Sequence, residues 1–305
     1  MKFAVHLPVD RVELGDEFVS ADGVRQCSVA AEQAGFDALY VTDHPAPGND
    51  WLAKGGHHSL DPFTALSFTA AATTDIRLFT NILVLPYRHP LIQAKAASSL
   101  DRLSGGRLML GVGAGYLEPE FAALGQNLQT RGQQLEDTLE LMKIAWRGES
   151  IEFSNDRYPV SAVTQLPTPI QPGGPELWMG GNSQAARRRA AKYCDGWLPI
   201  PVPGKMASRV RTAAIETMAA LSNAIGEMRE LEKRFERDKP LQIGCVPFGL
   251  TMQSKALPDA AALVEQRSEM RDMGVSWCTI GMPSTTRGEY IEALQQFRER
   301  VIAQL

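Results

Sequence analysis

No apolar run in the 305 residues reaches the length needed to cross a bilayer, which excludes a helical membrane protein. Paired cysteines are missing too. Cys27, Cys194, Cys245 and Cys278 are scattered with no CxxC, which excludes a disulfide framework or zinc site and fits reduced thiols in a cytoplasmic protein. There is no excess of charge of either sign: the formal net charge of −4 offers nucleic acid no electrostatic footprint and argues against an anionic membrane surface. The five histidines include no pair at the helical spacing of a metal site. Neither a Gly-x-Ser-x-Gly elbow nor a Ser-His-Asp order is present, which removes the serine hydrolases. Internal repeats and disordered tails are also absent. The start, Met1 to Pro8, is apolar too briefly for a signal peptide and reads as a strand.

What is present is an alternation of strand-like and helix-like segments, the signature of βαβ units around a parallel sheet. Strands are predicted over 2–7, 36–42, 77–83, 107–112, 176–179, 196–198, 242–250 and 276–280. Helices are predicted between them: Ser20 to Ala34, from Asp61-Pro62 onward, Pro90 to Leu103, Thr130 to Trp146, Ser183 to Tyr193, a long charged region over Lys205 to Arg237, Pro258 to Met273 and Gly288 to Ile302. Eight strand–helix pairs predict a single (β/α)8 barrel over 1–305. Residues 147–175, with five prolines and Gly173-Gly174, break the rhythm and predict an irregular insertion with a short strand at Ile151 to Phe153.

In such a barrel the active site forms at the C-terminal ends of the strands. Tyr40-Val41-Thr42-Asp43-His44 ends the second strand and places a titratable pair there. A histidine in that position exchanges protons near neutral pH. Gly180-Gly181-Asn182-Ser183 joins a strand to a helix, the geometry of a phosphate site, although two glycines also make a plain tight turn. Gly111 to Tyr116 is glycine-rich but lacks the immediate helix of a dinucleotide fingerprint, and Glu118-Pro119-Glu120 reads as a longer turn. It is either a surface for a flat ring or a close loop packing. Asn81 interrupts an apolar strand and implies a ligand or a local distortion. His6 is predicted near the pocket. Arg187-Arg188-Arg189 reads as a solvated helix face, or as steering charge for an anionic cofactor tail.

The segments Phe36 to His44, Arg77 to Pro90, Leu103 to Gly115 and Gly180 to Ser183, in this order and spacing, resemble the luciferase-like flavin and deazaflavin oxidoreductases. Within that superfamily the chain looks most like the branch that uses coenzyme F420. The resemblance implies a homodimer of (β/α)8 barrels acting on a small organic substrate by hydride transfer to or from the deazaflavin C5. The alternative is an FMN-dependent monooxygenase that uses oxygen. Carried over by position, His44 faces the reactive centre as the proton-transfer group, with Asp43 at the ring's polar edge and helping to hold His44. Asn81-Ile82 matches a non-proline cis peptide behind the ring. Ala114, Gly115 and Tyr116 match the turn after the fourth strand, and Gly180, Gly181, Asn182 and Ser183 match the phosphate turn. The family's sugar-phosphate dehydrogenases carry a glutamate acid where this chain has Tyr116, a much weaker acid. That departure puts sugar-phosphate oxidation in doubt.

Overall fold

The computed structural model describes every residue except Gln253, Lys255, Pro258 and Leu305. In chain order the first half holds β1 (Lys2–His6), α1 (Ala21–Gln33), β2 (Ala38–Val41), α2 (Asn49–Leu52), α3 (Pro62–Ala72), β3 (Arg77–Val84), α4 (Pro90–Leu103), β4 (Leu108–Gly113), α5 (Glu118–Ala123) and α6 (Arg131–Ala145). The second half holds β5 (Ser150–Phe153), β6 (Val160–Thr164), β7 (Glu176–Gly180), α7 (Gln184–Tyr193), β8 (Gly196–Leu198), α8 (Gly204–Arg209), α9 (Met218–Arg234), β9 (Gln242–Cys245), α10 (Ala260–Asp272), β10 (Trp277–Ile280) and α11 (Arg287–Arg300).

Eight strands close into a barrel in the order β1, β2, β3, β4, β7, β8, β9, β10, every neighbouring pair parallel. Helices cover the outside, so both faces of each strand are buried. This explains why β2 and β4 are buried at every position and read as continuous apolar runs. The barrel interior is filled by Ala4, Ala38, Tyr40, Phe79, Met109, Trp178, Leu198 and Trp277. Trp178 meets Phe79 and Trp277 edge-on, with ring centroids 6.0 Å apart in each case. Its indole lies against the bare Cα of Gly196, where a Cβ would sit 2.2 Å from the ring.

The helix starts follow capping chemistry. Ser20, Asp61 and Ser183 each accept a first-turn amide, from Gly23, Thr64 and Ala186, and Pro62 opens α3.

Four expectations change. The strand predicted over 242–250 stops at Cys245, because Pro247 has no amide to donate and Gly249 takes a positive φ of 82°. The region 205–237 is two helices, α8 and α9, parted by a stretch pinned through the Val202–Ile215 bridge, with Thr217 capping α9. The insertion carries a full antiparallel hairpin, β5 with β6, rather than one short strand. Glu118-Pro119-Glu120 is the first turn of α5, not an extended turn. The predicted helix start at Pro258 lies outside the described residues, and α10 begins at Ala260.

Among the described residues no helix is long and apolar enough to cross a membrane. The four cysteines are free and buried.

Candidate active site

Two loops and two turns meet at the C-terminal end of the barrel. β2 delivers Asp43 and His44. The Asp43 carboxylate is buried and takes both guanidinium nitrogens of Arg88 at 2.7 Å, together with the Val84 amide at 2.9 Å. It therefore braces the end of β3, and its hydrogen bonds go to that strand and to Arg88 rather than to His44. This corrects the expectation that Asp43 holds the histidine.

The partner of His44 is Glu120, one residue past Pro119 in α5. Its carboxylate is fully buried and lies 3.3 Å from His44 Nδ1. It also accepts from the Ala46 amide at 2.9 Å and the Tyr87 hydroxyl at 2.8 Å. Burial pushes the carboxyl up, but the hydrogen bonds from His44, Ala46 and Tyr87 outweigh it and hold Glu120 below its ordinary range. An ionised carboxylate only accepts, so His44 carries a proton on Nδ1 and its Nε2 is the nitrogen left for chemistry. Burial and the charge of Glu120 keep Tyr87 protonated.

Behind the mouth, the peptide Asn81–Ile82 is cis, and the β3–β4 register shifts between Thr80 and Leu83. At this bulge the Ile82 side chain lies across the ends of β4 and β7. A Cβ at Gly180 would lie 2.3 Å from Ile82 Cδ1, and at Gly113 3.2 Å from the same atom. At Gly111 it would lie 3.2 Å from Ile82 Cγ2 and 2.2 Å from the Thr80 carbonyl. These glycines are thus required by close packing, and together with Ile82 they make an apolar wall.

The turn after β4 is equally constrained. Ala114 packs on the outer core. Gly115 has φ of 77°, and a Cβ there would fall 2.6 Å from Val84. Tyr116 receives a hydrogen bond from Trp51, while burial and the charge of Glu120 push its phenol up to about 12.

At the glycine turn the picture is more selective than expected. Gly181 has φ of 106° and its amide goes to the Leu198 carbonyl. The buried Asn182 spends its amide on Thr212 and its side chain on Ile200 and Ala213, so it ties down the loop after β8. Ser183 caps α7. With the Ala186 amide taken by that cap, the donors that remain are the α7 amides ahead of it, which a helix N-terminus presents to an anion.

Sequence reasoning missed Glu120, Arg88, Tyr87, Trp51 and His57 as members of this constellation. Glu120 carried a signal, since Glu-Pro-Glu is a helix-start pattern as much as a turn. Trp51, an aromatic in a polar loop, carried another. His6 is buried at the end of β1, with Nε2 3.6 Å from Asp10. Among the described residues no group of three or more His, Cys, Asp or Glu could hold a metal ion.

A parallel eight-stranded barrel with a carboxylate-held histidine at its C-terminal mouth defines a class of barrel enzyme. The sequence profile of the luciferase-like monooxygenases matches residues 1–230, and the chain belongs to that family of oxidoreductases. An F420-dependent glucose-6-phosphate dehydrogenase of Intrasporangium calvum is 28% identical over 291 residues, covering 88% of this chain and 83% of that protein. Among solved structures, a coenzyme F420-dependent tetrahydromethanopterin reductase from Methanopyrus kandleri superposes with a TM-score of 0.75 at 15% identity, over 99% of each chain. The monooxygenase RslO1 from Streptomyces bottropensis gives 0.75 at 18%, over 100% of this chain and 99% of that one. At these identities the two structures share the fold.

Proposed function

We propose that the protein is an F420-dependent oxidoreductase acting on a small unsaturated, carbonyl or hydroxyl substrate. The observation that carries the reading is the His44–Glu120 pair beside the wall of Ile82, Gly111, Gly113 and Gly180. The residues fit a flat, anionic cofactor: the Ile82 side chain, laid down on Gly111, Gly113 and Gly180, makes a smooth apolar back for a ring, and the open α7 amides suit its phosphate. The F420-named relative across most of the chain supports the same choice. When bound, the deazaflavin supplies the hydride donor or acceptor at its C5.

The protein's part is proton handling and position. His44 Nε2 gives or takes the proton that accompanies the redox step. Glu120 fixes the Nδ1–H tautomer and stabilises the imidazolium. Glu120 is held ionised by three donors and does not act as an acid itself. Tyr116 stays protonated and donates a hydrogen bond at most, so it does not replace the glutamate acid of the sugar-phosphate enzymes.

Titration with F420 and, separately, FMN, followed through the bound chromophore's spectrum, tests the cofactor. Saturable F420 binding with FMN weaker is the expected result. Tight FMN binding with no F420 binding overturns the reading in favour of an oxygen-using flavin enzyme.

We also infer a homodimer, with a second copy covering the face built by α3, α4 and the insertion. Phe68, Ile92, Leu103, Val163, Leu166 and Ile170 are exposed there. The insertion lies along α4 through Gln165 to the Leu91 carbonyl at 2.8 Å and Arg102 to the Thr168 carbonyl at 3.1 Å. Ile92→Glu with Leu103→Glu is expected to give a monomer by size-exclusion chromatography with light scattering. A dimer that survives both charges removes this face.

A further inference from the structure

A second imidazole stands beside the first. His57, in the loop between α2 and α3, is half-buried and meets His44 edge-on, with ring centroids 5.0 Å apart and planes at 85°. Trp51 packs on both, at 4.6 Å from His44 and 5.4 Å from His57. The loop can hold Trp51 there only because Gly56 has no side chain, since a Cβ would lie 2.2 Å from the indole. Both imidazoles have Nδ1 anchored on an acceptor with no proton to give. For His44 it is the Glu120 carboxylate, and for His57 the His58 carbonyl at 2.8 Å. Each neutral ring therefore carries its proton on Nδ1 and keeps Nε2 free.

His57 also lines a cavity of about 220 Å³ between the loops that follow β1 and β2, together with Asp10, Arg11, Glu13, Gly55, Gly56 and His58; His44 is not among its lining residues. The titratable and charged groups around His57 are thus His58 from its own loop, His44 from the end of β2, and Asp10, Arg11, Glu13 and the buried His6 from β1 and the loop after it.

We propose that His57 is the proton relay of this site, exchanging a proton with His44 on one side and with water in the cavity on the other. The proposal rests on the reading of His44 as the proton-transfer group. That group must exchange its proton with solvent once per turnover, while a ring and a substrate over the mouth cover its exposed edge. The step balances without electron transfer. The Nε2–H bond of the His44 imidazolium breaks as a water at the rim of the paired rings takes the proton, since the rings themselves touch and leave no room between them. The same water gives a proton to His57 Nε2, and the His57 imidazolium releases it to cavity water; the reverse reaction runs the path backwards. Burial holds the His57 pKa below 6.5, against the pull of the His58 carbonyl and with the repulsion of His44. A ring that stays neutral at pH 7 accepts a proton only in passing, as a relay requires.

Histidine-selective ¹⁵N NMR tests this, on the cofactor-free protein for tautomers and titration, and with the mouth covered by whichever of F420 or FMN binds for the exchange rate, since the open mouth leaves His44 11% exposed to solvent. Both rings are expected as Nδ1–H tautomers. Replacing the neighbour, His44→Gln, should move the His57 midpoint upward, because interacting sites titrate as a pair. His57→Phe and His57→Gln should both slow exchange of the His44 ring proton with water, by about 10²-fold, the lower end of what positioned proton transfer contributes. A His57 titration indifferent to His44→Gln, or a His44 exchange rate unchanged in both His57 variants, overturns the relay. The titration needs no cofactor and the exchange rate needs only one of the two bound, so a failed F420 titration would remove the deazaflavin reading and leave this result standing.

Discussion

Glu120→Gln is expected to slow reduction or oxidation of the bound cofactor by about 10²–10⁴-fold while leaving F420 affinity within about three-fold, by analogy with loss of a carboxylate that orients a catalytic histidine. Donors and acceptors decide the effect. Glu120 Oε1 accepts from the Ala46 amide, and Oε2 faces both His44 Nδ1 and the Tyr87 hydroxyl. A glutamine side chain keeps the shape but offers one acceptor and one donor. If its oxygen serves Ala46, its NH₂ faces His44 Nδ1. A donor there forces the imidazole to move its proton to Nε2, the nitrogen that must be free to act as a base. The reverse orientation sets the introduced NH₂ against the Ala46 amide, donor against donor in a buried site, which is worse. The tautomer switches, and the imidazolium also loses its counter-charge. His44→Ala should cost as much as Glu120→Gln, and the double variant should be no slower than His44→Ala alone, because the two residues act as one unit. Stopped-flow single turnovers on the three variants measure this. Additive losses would mean that Glu120 acts separately from His44.

Much of this was legible in the chain because barrels write themselves in repeated local signals. Caps at Ser20, Asp61 and Ser183, the continuous apolar runs of β2 and β4, and the strand-end position of Asp43-His44 are short-range features, and the closed parallel barrel follows from their alternation. The resemblance supplied what local pattern does not, including the bulge at Asn81–Ile82. What stayed hidden are contacts between segments far apart in sequence. The pair His44–Glu120 spans 76 residues and Asp43–Arg88 spans 45. No periodicity predicts which of several strand-end carboxylates and cations will meet. The scaffold bonds of Asp43 and Asn182 were hidden for the same reason. Both are polar residues near the mouth, and both bond to scaffold groups far from them in sequence.

The stability consequence of that scaffold role is largest at Asp43. Asp43→Ala is expected to destabilise the protein by about 3 kcal/mol, at the lower end of the roughly 3–5 kcal/mol for breaking a buried ion pair. The Asp43 side chain is 1% exposed and that of Arg88 20%. Removing the carboxylate strips Arg88 of two 2.7 Å hydrogen bonds and leaves the Val84 amide without its acceptor. The lower end applies because Arg88 keeps Asp61 at 3.1 Å and retains some contact with water. Asp43→Asn keeps the shape and one acceptor for Val84, but turns an NH₂ toward an Arg88 nitrogen, donor against donor, and removes the counter-charge, so it should cost about 2 kcal/mol, within the roughly 1–3 kcal/mol of a buried group left unsatisfied. At about 2–4 °C per kcal/mol the alanine variant should melt roughly 6–12 °C lower, with the asparagine variant between it and wild type. F420 affinity should fall in step, since Val84 anchors the end of the bulged strand that carries Ile82. Thermal melts and F420 titrations on both variants decide between brace and ligand contact. If Asp43 chiefly touches the cofactor, Asp43→Asn will lose F420 binding at an unchanged melting temperature. If it braces β3 through Arg88, stability and affinity will decline together, with alanine worse than asparagine in both.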